Sequence, residues 1–321
     1  MLFLLKNHLI CSFIFLGMHL SIYAQNKPIS NLQINELGKI PIITYHKIGD
    51  TDTEYSRSRE GFRSDLIYFI ENKFHFLSLQ EFTSGNIQAP KGSIPILMTF
   101  DDSSVSQFEM DKNGKINPNS GIGIIESLKK KYPTFRPKGV FFVTPGAKNP
   151  NDLFGQKESK KAKLEYLIAN GYDIENHTLW HANLKKYSSK IEEQIVKCEQ
   201  FVQEYLPNHK MSSLALPFGI YPPEAERHRL MKGNFKGVSY KNSNIFDYSN
   251  RLSYVPYHKE YDSLHIRRIH ANESGIKRMI VELNKPGIAF VSDGDPSTIT
   301  IPKTSLGFLQ EKGLNKKVLS Y

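Results

Sequence analysis

Cysteine is nearly absent from this chain: two occur in 321 residues, Cys11 and Cys198. One lies in an apolar N-terminal run, so no internal disulfide framework is available, and the core must be large enough to hold the fold by burial. There is no internal repeat and no long low-complexity linker, which excludes a repeat array or a string of tethered modules. Long basic blocks are missing too. The net charge is +10, but Lys129-Lys130-Lys131 is only a short cluster at a helix end, and no nucleic-acid-binding module is present. The charge reads as a basic solvated surface suited to an anionic envelope or polymer.

The first two dozen residues do not read as fold. One Lys precedes an apolar run that ends in Ile22-Tyr23-Ala24 before Gln25. That is the pattern of a secretory signal peptide over 1–24, with export to the periplasm, cell surface or medium as its expectation. The run is short and broken by His19, so no stable membrane span is expected after cleavage. Cys11 sits inside the run, away from a lipoprotein-type cleavage point. A short extension, 25–40, then leads into one domain, 41–321.

Apolar strand-like runs alternate with helical patterns along that domain. The runs are 41–45, 95–100, 139–143, 172–176, 213–217, 236–240 and 287–292. Runs of this kind suit strands buried on both faces. Helical stripes cover 121–132, 159–171 and 190–206; Ile191, Ile195, Cys198, Val202 and Leu206 recur at three-to-four spacing, so Cys198 reads as a core thiol. The alternation predicts an α/β fold, a parallel barrel or a doubly wound sheet. The insertion 108–120 reads as a surface loop, since DKNGKIN lacks most ligands of a calcium loop.

Polar residues gather just after the strands. His46 follows the first run, Asp101 and Asp102 the second, His177 the fourth, and Pro217-Phe218-Gly219 the fifth. In α/β folds functional groups collect at the carboxyl ends of strands. Adjacent carboxylates repel, and a nearby cation offsets that repulsion. Three residues separate His177 from His181, and on a helical turn both imidazoles would share one side. Two histidines and one carboxylate leave open positions, the pattern of a catalytic divalent metal, Zn²⁺ first, with Co²⁺ or Ni²⁺ also suited. One aspartate would then hold the metal while its neighbour takes a proton from water. The structural alternatives are a pair of packing histidines and an Asp pair that caps a helix together with Ser103-Ser104.

TFDD at 99–102, HTLWH at 177–181 and LPFG at 216–219 resemble the ordered motifs of the polysaccharide deacetylases, carbohydrate esterase family 4. The resemblance covers 40–292. It implies a distorted (β/α)7 barrel and metal-dependent removal of acetyl groups from amino sugars. It also implies Asp101 as general base and Asp102, His177 and His181 as metal ligands. Two positions depart from the family pattern. Ala215 stands where an Arg usually braces the base, and GIAFVSDGD (287–295) has Ser292 and Asp293 but no acid His. Tyr45-His46 is similar to the N-terminal motif of the poly-N-acetylglucosamine deacetylase branch, which makes His46 the general acid. HIRRIHA (265–271) resembles a late Arg-bearing segment, so Arg268 is expected to brace Asp101, with Arg267 as its rival and His270 as the rival acid. Trp180, Pro217, Phe218, Gly219 and Asp293 are the expected substrate contacts; Leu216 reads as core. The expected partner is an N-acetylated polysaccharide. O-acetyl esterase activity, or a silent glycan-binding barrel, are the alternatives.

Overall fold

The structure, a computed structural model, describes residues 29, 32–147, 152–310 and 315–321. The segment 1–24, read as a signal peptide, and the start of the 25–40 extension lie outside the described residues.

Eight parallel strands form one curled sheet: β1 (Ile42–Tyr45), β2 (Phe74–Phe76), β3 (Ile94–Asp101), β4 (Gly139–Val143), β5 (Tyr172–Asn176), β6 (Ser213–Ala215), β7 (Asn244–Phe246) and β8 (Ile269–His270). The order is β7-β6-β5-β4-β3-β1-β8, and β2 pairs with the first half of β3. A parallel bridge from Phe246 to Ile266 brings the segment before β8 against β7, so the two ends of the sheet approach each other. The result is the distorted (β/α)7 barrel type, with helices α1 (Arg59–Glu71), α2 (Leu79–Ser84), α3 (Gly121–Lys131), α4 (Lys160–Ala169) and α5 (Ile191–Gln203) between its strands and α6 (Glu273–Leu283) after β8. Ser58, Ser78, Ser120 and Asn272 cap α1, α2, α3 and α6 by accepting backbone N–H bonds that the first helical turn leaves open.

The two-residue period of the strands sorts side chains between helices and lumen. Ile43, Tyr45, Met98, Phe100, Phe141 and Val143 pack with the helix residues Phe62, Leu66 and Ile125 in one core cluster. Ile42, Leu97, Val140 and Phe142 join Phe246 and Phe290 in a second cluster on the opposite face. That lumen face continues upward along β1 through Thr44 to His46, and along β3 through Thr99 to Asp101. An unbroken apolar run therefore delivers polar groups to the top of the lumen without placing them in the helix-facing core. Cys198 is fully buried among this packing, and its thiol donates to the Val143 carbonyl (3.3 Å).

Two expected strands are placed differently. The run 236–240 lies in a separate antiparallel hairpin, Lys232–Phe235 with Val238–Lys241, whose Val238 is 39% exposed. Its tight turn at Lys236 and Gly237, both at positive φ, lets the run fold back on itself instead of crossing to the barrel. The run 287–292 makes only single bridges, to Asn35 and Lys39. Strands β7 and β8 supply sheet positions instead; at three and two residues they are too short to show as apolar runs.

The 287–292 run leads to the base of the barrel. There Glu36 accepts from the backbone N–H of Thr300 (2.9 Å) and Asp293 (3.3 Å). Burial pushes Glu36 up to about 7, against the pull of the Thr300 N–H. A raised carboxyl pKa gives stability that is complete below the ordinary value of 4.5 and is lost as pH rises through about 7. Asp293 shifts the other way: the Thr298 and Thr300 hydroxyls outweigh its burial, so its own contribution disappears only below the ordinary carboxylate range. Melting temperatures recorded between about pH 5 and 8 should fall with rising pH, and Glu36→Gln should flatten that slope. An equal slope in the variant would remove Glu36 as its source.

Candidate active site

Asp101 ends β3 at 1% exposure. A carboxylate so buried needs a partner. Arg268 provides it, with Nη1 donating to Oδ1 (2.7 Å) and Nη2 to Oδ2 (2.8 Å). The guanidinium is itself 1% exposed, and its Nε donates to the Asp247 carbonyl (2.9 Å). Arg267, one residue earlier, faces away and lies over the Tyr254 ring at 4.8 Å. Burial alone would raise the Asp101 pKa, but the charges of Arg268 and His177 more than offset it and hold the carboxyl below its ordinary value.

Beyond Asp101 the chain makes a turn, not a capped helix. Asp102 and Ser103 take φ of 78° and 50°, left-handed conformations that side-chain-bearing residues seldom adopt. The turn gives the two neighbouring carboxylates different partners, although Asp101 Oδ2 stays 3.7 Å from His177 Nε2. Asp101 stays on the lumen face with Arg268, and Asp102 leans toward the histidines.

The histidine segment departs from the helical turn expected for its spacing. Residues 177–183 form a loop in which Thr178 and His181 both have positive φ. Side-chain hydrogen bonds pin it: Thr178 N–H donates to Asn176 Oδ1 (2.8 Å), Ala182 N–H to Thr178 Oγ1 (2.9 Å), and Trp180 N–H to Gln194 Oε1 (3.2 Å). The loop still sets the two imidazoles 4.9 Å apart, centroid to centroid. His177 Nε2 lies 3.6 Å from Asp102 Oδ1 and His181 Nε2 lies 3.4 Å from the same oxygen.

These three residues fit a divalent cation. Their donor atoms all lie within 4.8 Å of one another. Asp102 Oδ1 and His177 Nε2 are buried and have no hydrogen-bond partner, an arrangement that a shared cation would satisfy. The Ala215 carbonyl lies 2.8 Å from His177 Nδ1 and takes its N–H, which leaves the Nε2 lone pair directed at Asp102. Burial lowers the His177 pKa, yet Asp101 and Asp102 raise it more, a field that favours any positive charge at Nε2. Burial and the charge of His177 push His181 down to about 4, so it is a neutral donor.

The remaining expected residues divide. His46 follows Tyr45, which is in register with Phe100, so His46 stands beside Asp101 on the next strand. Burial lowers the pKa of its imidazole, and the charges of Asp101 and Asp102 offset only part of that. Phe218, at φ 61° and 59% exposed, sets its ring 4.4 Å from His181. Gly219 has φ 65°, and a Cβ there would meet Tyr248 Cβ at 2.5 Å, so glycine is required. Pro217 is buried beneath, and Leu216 is core. Trp180, His181, Asn183, Lys186, Tyr187 and Phe218 line an adjoining cleft of about 610 Å³. Asp293 is not brought to the site. Ser292, its neighbour, pairs with Ser93 and Gly92 just before β3 begins, at the opposite pole of the barrel from Asp101. Its expected place rested on a terminal strand at 287–292 that the sheet does not contain.

Gln107 is a site residue that sequence reasoning missed. It is fully buried, and its Nε2 donates to the carbonyls of both His46 (2.6 Å) and Asp101 (2.5 Å). One amide thus clips the ends of β1 and β3 together. Only its place a few residues past the Asp pair could have drawn attention to it.

Residues 88–232 match the family model described as polysaccharide deacetylase. No curated protein sequence matches the chain. Among solved structures, a polysaccharide deacetylase from Bacillus cereus is similar at 17% identity and TM-score 0.57, over 77% of this chain and 69% of that one. The Streptococcus pyogenes deacetylase PplD in complex with acetate aligns at 18% identity and TM-score 0.56, over 77% and 99%. IcaB from Ammonifex degensii aligns at 16% identity and TM-score 0.55, over 78% and 100%.

Proposed function

Starting from a chain that carries a polysaccharide deacetylase domain, we propose that it is an exported, metal-dependent hydrolase that removes N-acetyl groups from amino-sugar polysaccharide. The observation that carries the reading is the pair of neighbouring aspartates with different partners: Asp101 on Arg268, Asp102 beside two histidines. Asp102, His177 and His181 would hold the ion, Zn²⁺ first by donor type. Such an ion supplies Lewis-acid polarisation of the acetyl carbonyl and makes water more acidic.

The chain's own residues do the rest. Asp101, kept ionised by Arg268, accepts the proton of the attacking water. Arg268 also fixes the plane of that carboxylate through two parallel bonds, so its orientation is set before substrate arrives. His46, on the adjacent strand, gives a proton to the departing amine as the C–N bond breaks. Phe218 and Trp180 offer ring faces at the cleft, suited to the apolar face of a sugar. Export rests on the 1–24 pattern; no helix among the described residues is long and apolar enough to cross a membrane.

Acetate release from N-acetylglucosamine oligomers tests the reading. Release is expected from the Zn²⁺-loaded protein, with loss on chelation and recovery when the ion returns. Acetate from O-acetylated glycan alone would move the assignment to an esterase. A folded protein that binds no divalent ion when incubated with Zn²⁺, Co²⁺ or Ni²⁺ would end the hydrolase reading.

A further inference from the structure

His270 has no part in the chemistry above, yet it is buried against the site. It lies on β8, in register with Thr44 of β1, so the local strand order is β3-β1-β8. Arg268 and His270 are two residues apart and share the lumen face. The His270 ring is 4% exposed and stands 5.1 Å from the His46 ring, 5.1 Å from Tyr55 and 4.5 Å from Tyr248, centroid to centroid. Its backbone N–H is already taken by Asn250 Oδ1 (3.0 Å), which holds the residue in place.

Two atoms in this cluster stand out. His46 Nδ1 and His270 Nε2 are both buried, and neither has a hydrogen-bond partner. Buried ring nitrogens seldom stay unpaired. Two imidazoles joined by one N–H···N bond have centroids about 5 Å apart, the sum of the bond and two ring radii, so small ring rotations suffice to pair these atoms.

The neighbourhoods of the two rings differ. Asp101, Asp102, Arg268 and His177 all act on His46, whereas Asp101 and His46 are the charged groups that act on His270. In the strand order β3-β1-β8, His270 stands behind His46 as seen from the carboxylate pair. Burial, and then the charge of His46, keep it neutral at ordinary pH, so it retains one acceptor nitrogen.

We propose that His270 is a positioning residue for His46: its Nε2 accepts the His46 Nδ1–H and fixes His46 Nε2 as the nitrogen that faces the departing amine. His46, protonated on both ring nitrogens before the C–N bond breaks, loses its Nε2 proton to the amine and becomes the neutral Nδ1–H tautomer, which still donates to His270. No proton passes to His270 and no co-reactant is needed. This inference rests on His46 as the acid.

The test has two readouts. In the metal-loaded enzyme acting on N-acetylglucosamine oligomers, His270→Ala is expected to lower kcat about 10- to 100-fold while KM stays within about twofold. His270→Gln, which keeps an acceptor, is expected to recover most of that loss. Nitrogen-15 NMR of the imidazoles should show His46 as the Nδ1–H tautomer in wild type and as a mixture in His270→Ala. An unchanged His46 tautomer, or a variant changed in KM alone, overturns the proposal. His46→Ala is measured alongside: full kcat there refutes the acid assignment, while the NMR result still decides whether the two rings pair.

Discussion

Asp101→Asn should reduce acetate release by about 10²- to 10⁴-fold, the range over which a positioned general base contributes. Asn is close to Asp in shape but cannot accept the proton. The substitution keeps all three donors of the ligand trio, Asp102, His177 and His181, in the chain. Metal content measured by atomic emission should therefore match wild type while turnover falls. Activity within tenfold of wild type would show that the water's proton leaves by another route. Asn also removes the negative charge opposite Arg268 and so leaves that guanidinium buried without its partner. Turnover is thus best read beside a melting curve.

Removal of the other member of that pair should affect folding most. Arg268→Ala leaves Asp101 at 1% exposure without its bidentate partner. Breaking a buried pair on one side typically costs about 3–5 kcal/mol, a large part of an ordinary domain's stability. Chemical denaturation should show a loss in that range. Arg268→Lys keeps the charge but cannot make two parallel bonds, so it should fall between the two. A change under about 1 kcal/mol for Arg268→Ala would mean that Asp101 is neutral or hydrated in the fold, against the low pKa that Arg268 and His177 impose.

What could be read from the sequence follows from how local each feature is. Asp101, Asp102, His177 and His181 announce themselves because carboxylate adjacency and histidine spacing are short-range patterns. The central strands are legible for a similar reason: burial on both faces makes their runs continuous. Arg268 is different. Nothing near it marks its partner, and only resemblance pointed to it over Arg267; the alternation of β8 sends one guanidinium inward and the other onto Tyr254. The Ala215 carbonyl and the Gln107 amide were invisible in principle, because a backbone oxygen has no residue type and a lone Gln has no pattern. Asp293 lies at the opposite end of the barrel because the apolar run before it, 287–292, makes only single bridges and is no strand of the sheet. The helical turn assumed for His177 and His181 failed because Asn176, Thr178 and Gln194 offer hydrogen bonds that compete with helix formation.

The Arg268–Asp101 bond joins residues 167 positions apart. At roughly 5–20 residues per second, about 8–33 s of synthesis separates the two. Through that interval the strand bearing Asp101 exists without the cation that lets it be buried. Asp102, His177 and His181 all emerge well before Arg268, so the trio proposed to hold a cation is synthesised while Asp101 still lacks its partner. The last quarter of the chain therefore supplies the charge that lets Asp101 be buried, and a polypeptide that ends before position 268 carries that acid without its partner.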